Sequence, residues 1–291
     1  MTYAPLDRLK KKSAKREIVV IAGTGVSAAT VTNPALPTTW PRLLDDGIDF
    51  CLARTVPPDP QWESRVRDAL AAGELMTAAH MIDERLCPQG PSSRLRRMWL
   101  QESVGTLRAD PFDPADPSTH ASRLVNTIWE LKAPVLTTNY DTLIRQVINA
   151  EIATWMNPDA FRRAALGELP RTVGHLHGVW MDTESVILDP FDYGRLSTHK
   201  PTAAALEQVA YGPSILFVGV GGGIADPTFG ALRRWLQTTV EWSTNAHYLL
   251  VADTELAQAR DELRNDPIEP IGFGGHGDLE PFIRTEIPAP P

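Results

Sequence analysis

The sequence predicts an α/β fold in which a mostly parallel sheet carries helices on both faces. Short apolar runs rich in Val, Ile and Leu recur along the chain, and most of them are continuous rather than alternating. Continuous runs are typical of parallel strands that helices cover on both sides. Helical patterns separate the runs, and 43% of the 291 residues are apolar, which is enough to bury a full core.

The runs expected to form strands lie at residues 18–22, 135–138, 173–176, 186–188, 215–220 and 248–251. No such run occurs between residues 40 and 129, where helical patterns are predicted at 62–70, 75–86 and 95–107. We therefore expect one domain over residues 1–291, with a mostly helical insertion at about 40–130 after the first strand and helix.

Charge and cysteine content exclude several classes of protein. The formal net charge of −8 argues against a dedicated nucleic-acid-binding surface. The two cysteines, Cys51 and Cys87, form neither a disulfide framework nor a four-cysteine zinc site. The chain has no apolar run long enough to span a membrane and no signal peptide, so we expect a cytoplasmic protein. The basic N-terminus, with Arg8 and Lys10 to Lys12, is expected to be a first helix or a solvated tail, the alternative being a docking arm for an acidic partner.

The first apolar run leads directly into a glycine loop, Gly23-Thr24-Gly25-Val26-Ser27. A strand that ends in Gly-x-Gly brings a phosphate group to a helix N-terminus, where free N–H groups meet the anion. The loop also fits the dinucleotide fingerprint that dehydrogenases and flavoproteins share. This predicts a Rossmann-like fold that binds a nucleotide. A dehydrogenase would need an acidic residue at the end of a second strand, whereas Asp45 and Asp46 fall in a helical segment.

Polar residues follow the second predicted strand. Asn139 and Asp141 stand at its carboxyl end, where ligands of open α/β sheets bind. The alternative is that one of them caps the helix expected at 143–148. At the end of the next strand, His177 precedes Gly178 and is a candidate general base, while His175 is expected to be structural. A metal site at these two histidines lacks further ligands at a suitable spacing.

Two later segments complete the pattern. Asp189 and Pro190 are expected to begin a helix after a turn. The run at 215–220 ends in a glycine-rich loop with Gly219 and Gly221, which is either a second nucleotide-contacting loop or only a flexible connection.

In this order, the motifs resemble the sirtuin-like (silent information regulator) family over residues 17–284, and most closely its bacterial branch in antiphage defence. The motifs are the glycine loop, Pro37 to Leu44, Thr138-Asn139-Tyr140-Asp141, His175-Leu176-His177-Gly178, Asp192-Tyr193, and Val218-Gly219 through Asp226-Pro227.

The resemblance implies a role for each matching residue. The NAD phosphates would lie on Gly23, Thr24, Gly25, Val26 and Ser27, with Thr24 in place of the usual Ala. Asn139 and Asp141 would place the nicotinamide ribose and carboxamide, and His177 would be the base. Gly219 and Gly221 would lie along the adenosine half. We expect Asn139 and His177 to be the catalytic residues, with NAD as substrate and no metal ion.

Two departures from the deacylating sirtuins favour a different reaction. The chain lacks their four zinc-binding cysteines and their Gly-Ile-Pro-Asp-Phe-Arg segment, and has Leu36-Pro37-Thr38-Thr39-Trp40 after the phosphate loop. The defence branch shares both departures and hydrolyses NAD. We therefore expect an NAD glycohydrolase, the alternatives being a sirtuin-type deacylase and a non-enzymatic NAD or ADP-ribose sensor.

An unrestrained NAD hydrolase would kill its host, so we expect control by homo-oligomerisation or by a partner. The resemblance implies a HerA-type ATPase or a short Argonaute as that partner. Direct binding to nucleic acid or to a membrane is not expected.

Overall fold

The computed structural model describes residues 4–55 apart from 32 and 34, 60–88, 93–109, 122–220, 230 and 245–290. In this part of the chain, seven strands form one all-parallel sheet in the order β3-β4-β2-β1-β5-β6-β7. The predicted Rossmann-like α/β fold is confirmed. The strands are β1 (Ile18–Ala22), β2 (Val135–Thr137), β3 (Glu151–Thr154), β4 (Thr172–His175), β5 (Ser214–Val218), β6 (His247–Val251) and β7 (Ile268–Gly272).

The helices of the described residues lie before, between and after these strands. They are α1 (Ala4–Ala14), α2 (Thr24–Thr30), α3 (Trp40–Arg54), α4 (Trp62–Ala71), α5 (Leu75–Leu86), α6 (Arg94–Glu102), α7 (Arg123–Glu130), α8 (Leu143–Ile148), α9 (Pro158–Ala165), α10 (Pro190–Thr198), α11 (Lys200–Tyr211), α12 (Leu256–Glu262) and α13 (Leu279–Glu286). Short 3₁₀ turns occupy Val104–Thr106, Thr183–Ser185 and His276–Asp278.

The central strand β1 shows why its apolar run is continuous. All five of its residues are buried. Because successive side chains point to opposite faces, Val20 packs into the core on one side of the sheet and Ile21 into the core on the other. Helices cover both faces, as the sequence predicts for a parallel sheet.

The region between β1 and β2 has a hydrophobic core of its own. The described residues between the two strands form α2 to α7 and one 3₁₀ turn and contain no strand, as predicted, and α3 to α6 supply most of this core. Trp40, Ile48 and Trp99 lie in this core together with Val186 and Leu188 from the later part of the chain. The helical region therefore packs against the segment that follows β4. That residues 1–291 form one domain stays a prediction.

The run at 186–188 was predicted to be a strand, and this prediction is wrong. The three residues are fully buried, but Val186 and Leu188 pack into the core of the helical region rather than into the sheet. The carbonyl of Val186 accepts a hydrogen bond from the Arg96 side chain instead of from a neighbouring strand. A continuous apolar run reports burial, and burial alone does not distinguish a strand from an irregular segment.

The basic N-terminus forms α1, so the expectation of a first helix is confirmed. Its charges pair with acidic residues of the chain itself: Arg8 with Glu269 at 2.5 Å and Lys10 with Glu286 at 2.6 Å. Both cysteines are free thiols. In the described part of the chain, no helix has the length and apolar character needed to cross a membrane.

Candidate active site

A large cavity lies at the carboxyl ends of the central strands. Its volume is about 1210 Å³, which is enough for a dinucleotide-sized ligand. Gly23, Thr24 and Gly25 line it at the start of α2, and Gly219 lines it after β5. Helical-region residues such as Trp40 and C-terminal residues such as His276 complete its wall. Ligands of open α/β sheets bind at this edge.

The two glycine loops touch each other directly. The N–H of Gly25 donates to the carbonyl of Gly219 at 2.8 Å, and a Cβ at Gly23 would lie 2.7 Å from the same oxygen. Gly219 has a φ of +68°, and its own Cβ would lie 2.6 Å from the Val26 nitrogen. Any larger residue at these positions would push the loops apart. Gly221, the other glycine predicted to bind NAD, lies outside the described residues.

The predicted phosphate loop has two parts with different environments. Gly23, Thr24 and Gly25 line the cavity, whereas the side chains of Val26 and Ser27 are buried beneath it. The N–H of Val26 donates to the carbonyl of Gly23 at 3.0 Å. The N–H groups of Gly25 and Val26 thus have partners within the protein.

Asn139 is held in one orientation by two acceptors. Its Nδ2 donates to the carbonyl of Gly23 at 2.9 Å and to the Ser27 hydroxyl at 2.7 Å. Because a carbonyl oxygen can only accept, the NH₂ side of the amide must face Gly23. The amide oxygen Oδ1 is therefore on the other side, where it is buried without a hydrogen-bond partner among the described residues. Such an unpaired acceptor is available to a water molecule or a ligand.

Asp141 belongs to the same hydrogen-bond network as Asn139. It accepts a hydrogen bond from the Ser27 hydroxyl at 2.6 Å and another from the N–H of Leu143 at 2.9 Å. The second bond satisfies the first N–H of α8 from the residue before its N-cap, Thr142, so Asp141 also supports the helix start, which is close to the alternative interpretation. Burial raises the pKa of the Asp141 carboxyl, and the two hydrogen bonds oppose that shift.

A second, smaller cavity lies beside Asn139. Its volume is about 30 Å³, which is enough for a water molecule. Asn139 and Asp141 line it, and so do Thr24, Thr39 and Trp40, which also line the large cavity. The smaller cavity thus lies next to the large cavity that could hold a nucleotide. Asn139, which lines the smaller one, carries an unpaired acceptor.

The two histidines differ in position and contacts. The strand β4 ends at His175, and His177 lies in the turn after it. His175 Nδ1 lies 3.0 Å from the carbonyl of Asn139, which can only accept, so this nitrogen carries the hydrogen. His175 thereby holds the main chain of Asn139. Burial lowers its pKa to about 4.

His177 is enclosed by protein and is not among the residues that line either cavity. Its ring packs edge-on against Tyr193 with 5.6 Å between ring centres, and Nδ1 has no hydrogen-bond partner in the described part of the chain. Burial lowers the pKa of His177 to about 3. His177 therefore lacks the ordinary histidine pKa near 6.5, because burial in protein disfavours the charged form of the ring.

Gly178 is required by the backbone rather than by a ligand. Its φ is +79°, and a Cβ there would lie 2.1 Å from the carbonyl oxygen of Ser185. The chain at residue 185 therefore passes directly against Gly178. The partner of Gly178 in this close approach is the chain itself.

One functional feature escaped the sequence analysis. The segment that follows Ser185, residues 186–193, connects both predicted catalytic positions. The N–H of Ile187 donates to the carbonyl of His177 at 2.9 Å, and the carbonyl of Ile187 accepts from the hydroxyl of Tyr140, the neighbour of Asn139, at 2.5 Å.

Residues 134–271 match the family described as the SIR2-like domain. The matched region begins just before β2 and ends within β7, so it includes Asn139, Asp141, His177 and Gly219 but not the first glycine loop. The match supports the resemblance to the sirtuin-like family, whose members commonly use NAD as a substrate or cofactor. No group of three or more metal-binding side chains occurs within the described residues.

Proposed function

We propose that this protein hydrolyses NAD at the bond between nicotinamide and ribose. The observation that carries the proposal is the fixed orientation of Asn139, which lines a water-sized cavity and whose buried Oδ1 has no hydrogen-bond partner among the described residues. That cavity shares Thr24 and Trp40 with the larger cavity beside the glycine loops. The match to the SIR2-like domain supports NAD as the ligand of the larger cavity.

The reaction needs little acid catalysis, because nicotinamide already carries a positive charge in NAD. When the bond from C1′ to the nicotinamide nitrogen breaks, its electron pair stays on that nitrogen and neutral nicotinamide leaves. The ribose carbon takes on oxocarbenium character, and the oxygen of a water molecule attacks it. The water then loses one proton, and the products are nicotinamide and ADP-ribose.

Asn139 would orient the attacking water. An amide oxygen accepts a hydrogen bond from water without taking its proton, so it can direct the water lone pair toward C1′. Ser27 and the carbonyl of Gly23 hold the amide so that this oxygen cannot rotate away. Preorganised polar groups of this kind lower the barrier because they need no rearrangement during the reaction.

His177 would accept the proton that the water loses. At cellular pH its low pKa keeps the ring neutral, which is the form a base requires. A buried ring with a pKa of about 3 is, however, a weak base. We infer that substrate binding moves the segment over His177 and admits water, which raises the pKa toward its ordinary value.

The test compares Asn139→Ala with a matched control, Asn126→Ala. Asn126 lies in α7, where its side chain donates to the carbonyl of Ser122, and it is not among the residues that line either cavity. Nicotinamide release is measured by liquid chromatography, and NAD binding by calorimetry. We expect Asn139→Ala to lose at least about a hundredfold in turnover while it still binds NAD and while Asn126→Ala keeps full turnover. Equal turnover in both variants would refute the role of Asn139.

A second candidate function is that of a sensor that binds NAD or ADP-ribose without cleaving it. The enclosure of His177 against Tyr193 favours this alternative, because the predicted base then lines neither cavity. A sensor would bind NAD and release no nicotinamide under any condition. The same binding and turnover measurements therefore distinguish it from the hydrolase.

We further propose that the activity depletes NAD in antiphage defence and that assembly controls it. A higher-order homo-oligomer, a HerA-type ATPase or a short Argonaute could shift the cleft between a closed and an open form. Turnover measured across protein concentrations, and again with each candidate partner, tests this control. Full turnover by a dilute monomer would contradict it.

A further inference from the structure

Arg96 is an arginine with no exposed surface, in the first turn of α6. Its Nη2 donates to Asp192 Oδ2 at 2.7 Å and to the carbonyl of Val186 at 2.9 Å. Its Nε lies 3.4 Å from Asp83 Oδ1. Two carboxylates and a carbonyl thus lie around the guanidinium and compensate its charge, although Nε and Nη1 have no hydrogen-bond partner among the described residues.

Both ends of the 186–193 segment are tied to this one side chain. Val186 lies at its start, and Asp192 lies near its end. Asp192 Oδ2 also accepts from the N–H of Leu188 at 3.1 Å, which closes the segment on itself. Arg96 therefore holds the chain that leads into α10 against α6.

The same segment holds His177. The carbonyl of Val186 and the N–H of Ile187 belong to a single peptide group, which accepts from Arg96 on one side and donates to the carbonyl of His177 on the other. Tyr193, the residue after Asp192, packs its ring against the His177 ring. Arg96, a charged residue of the helical region, is thus linked to His177 through one peptide group and through the ring of Tyr193.

We propose that Arg96 is a positioning residue for His177, and that it acts by fixing the 186–193 segment against the main chain and ring of that histidine. This assignment rests on the proposed function in so far as His177 is the base. According to this proposal, the helical region controls how tightly the protein encloses His177.

Asp83 supplies a matched control, because it belongs to the same buried cluster but to α5. Its side chain pairs with Arg96 and accepts from the Cys87 thiol, and among the described residues it makes no hydrogen bond to the 186–193 segment. Asp83→Asn and Asp192→Asn each remove one carboxylate charge beside the same guanidinium. A purely structural role of the cluster predicts the same result for both, whereas positioning of His177 predicts an effect of Asp192→Asn alone.

The readout is the imidazole NMR signal of His177 in the protein without NAD, assigned by its loss in His177→Gln. The titratable group that contacts the His177 ring is Tyr193. The charged groups on the surrounding elements are Arg96, Asp192 and Arg195, and both arginines form ion pairs with Asp192. Burial is the cause of the low pKa of His177, so a looser segment should raise it.

We expect Asp192→Asn and the milder Arg96→Lys to raise the pKa of His177 by at least about one unit, whereas Asp83→Asn leaves it unchanged. In the active assembly, the first two variants should lower kcat at least about tenfold with little change in KM. An unchanged His177 signal in a folded Arg96→Lys or Asp192→Asn protein would overturn the proposal, and so would an equal shift in Asp83→Asn.

Hydrogen exchange of the wild-type protein gives an independent test if the variants do not fold. The N–H of Ile187, bonded to His177, should exchange slowly, as the amides of β4 do. Rapid exchange of this amide would overturn the proposal. Because neither NMR nor exchange involves NAD, a protein without hydrolase activity would still decide whether Arg96 positions His177.

Discussion

Replacing Ser27 by Ala tests the network that orients Asn139. The Ser27 side chain is 1% exposed and bridges Asn139 Nδ2 and Asp141 Oδ2, at 2.7 and 2.6 Å. In Ser27→Ala, one N–H of Asn139 and one carboxylate oxygen of Asp141 stay buried without a partner. An unsatisfied buried polar group costs about 1–3 kcal/mol, so we expect the free energy of unfolding to fall by about 3 kcal/mol.

Ser13→Ala is the matched control for this loss. Ser13 is fully buried in α1, and its hydroxyl donates one hydrogen bond to the carbonyl of Pro288 at 2.7 Å. Loss of this single neutral bond should cost only about 1 kcal/mol. Both free energies are measured by urea denaturation at constant pH.

The activities of the two variants should separate further than their stabilities. Without Ser27, the Asn139 amide keeps only its bond to Gly23 and can rotate, so turnover should fall at least about tenfold. Ser13→Ala should keep wild-type turnover, because Ser13 lines neither cavity. If both variants lose the same stability and the same activity, the proposed bridge does not orient Asn139.

Three further predictions use the same structure. His177→Asn should abolish nicotinamide release, whereas His175→Asn should keep much more activity, and equal loss in two folded proteins would contradict the assignment. Gly178→Ala should lower the free energy of unfolding by more than about 3 kcal/mol, whereas Gly73→Ala, at a φ of +76° in open space, should cost about 1 kcal/mol. Because burial raises the pKa of Asp83 to about 6 and the folded state then binds the extra proton, stability should fall as pH rises from about 4 to 6. Denaturation curves of Asp83→Asn should lack that fall, and an unchanged pH dependence would refute it.

The central strands of the fold were predictable, and two edge strands were not. β1 and β5 are continuous apolar runs because helices cover both of their faces. β3 and β7 lie at the two edges of the sheet, so each has only one neighbour and its sequence is less apolar. β7 even contains Pro270, which an edge strand tolerates because one side needs no ladder hydrogen bond.

The position of Asn139 at a strand end was predictable, but its partner was not. Ser27 lies 112 residues earlier in the sequence, and only the pairing of β1 with β2 brings the two together. The enclosure of His177 was not predictable either, because the 186–188 run has the composition of a strand. The position of Arg96 in the sequence is one signal that could have indicated this enclosure. Arg96 lies three and four residues before Trp99 and Leu100, on the apolar side of its helix, where a charge is unusual.

The most direct test of NAD hydrolysis is the product balance. Purified protein is incubated with NAD over a range of protein concentrations, and both products are quantified by liquid chromatography and mass spectrometry, with Asn139→Ala in parallel. We expect wild-type protein to release nicotinamide and ADP-ribose in equal amounts at the concentrations where it assembles, and Asn139→Ala to release neither. Bound but intact NAD at every concentration and with every candidate partner, or equal product release by Asn139→Ala, would contradict the proposed function.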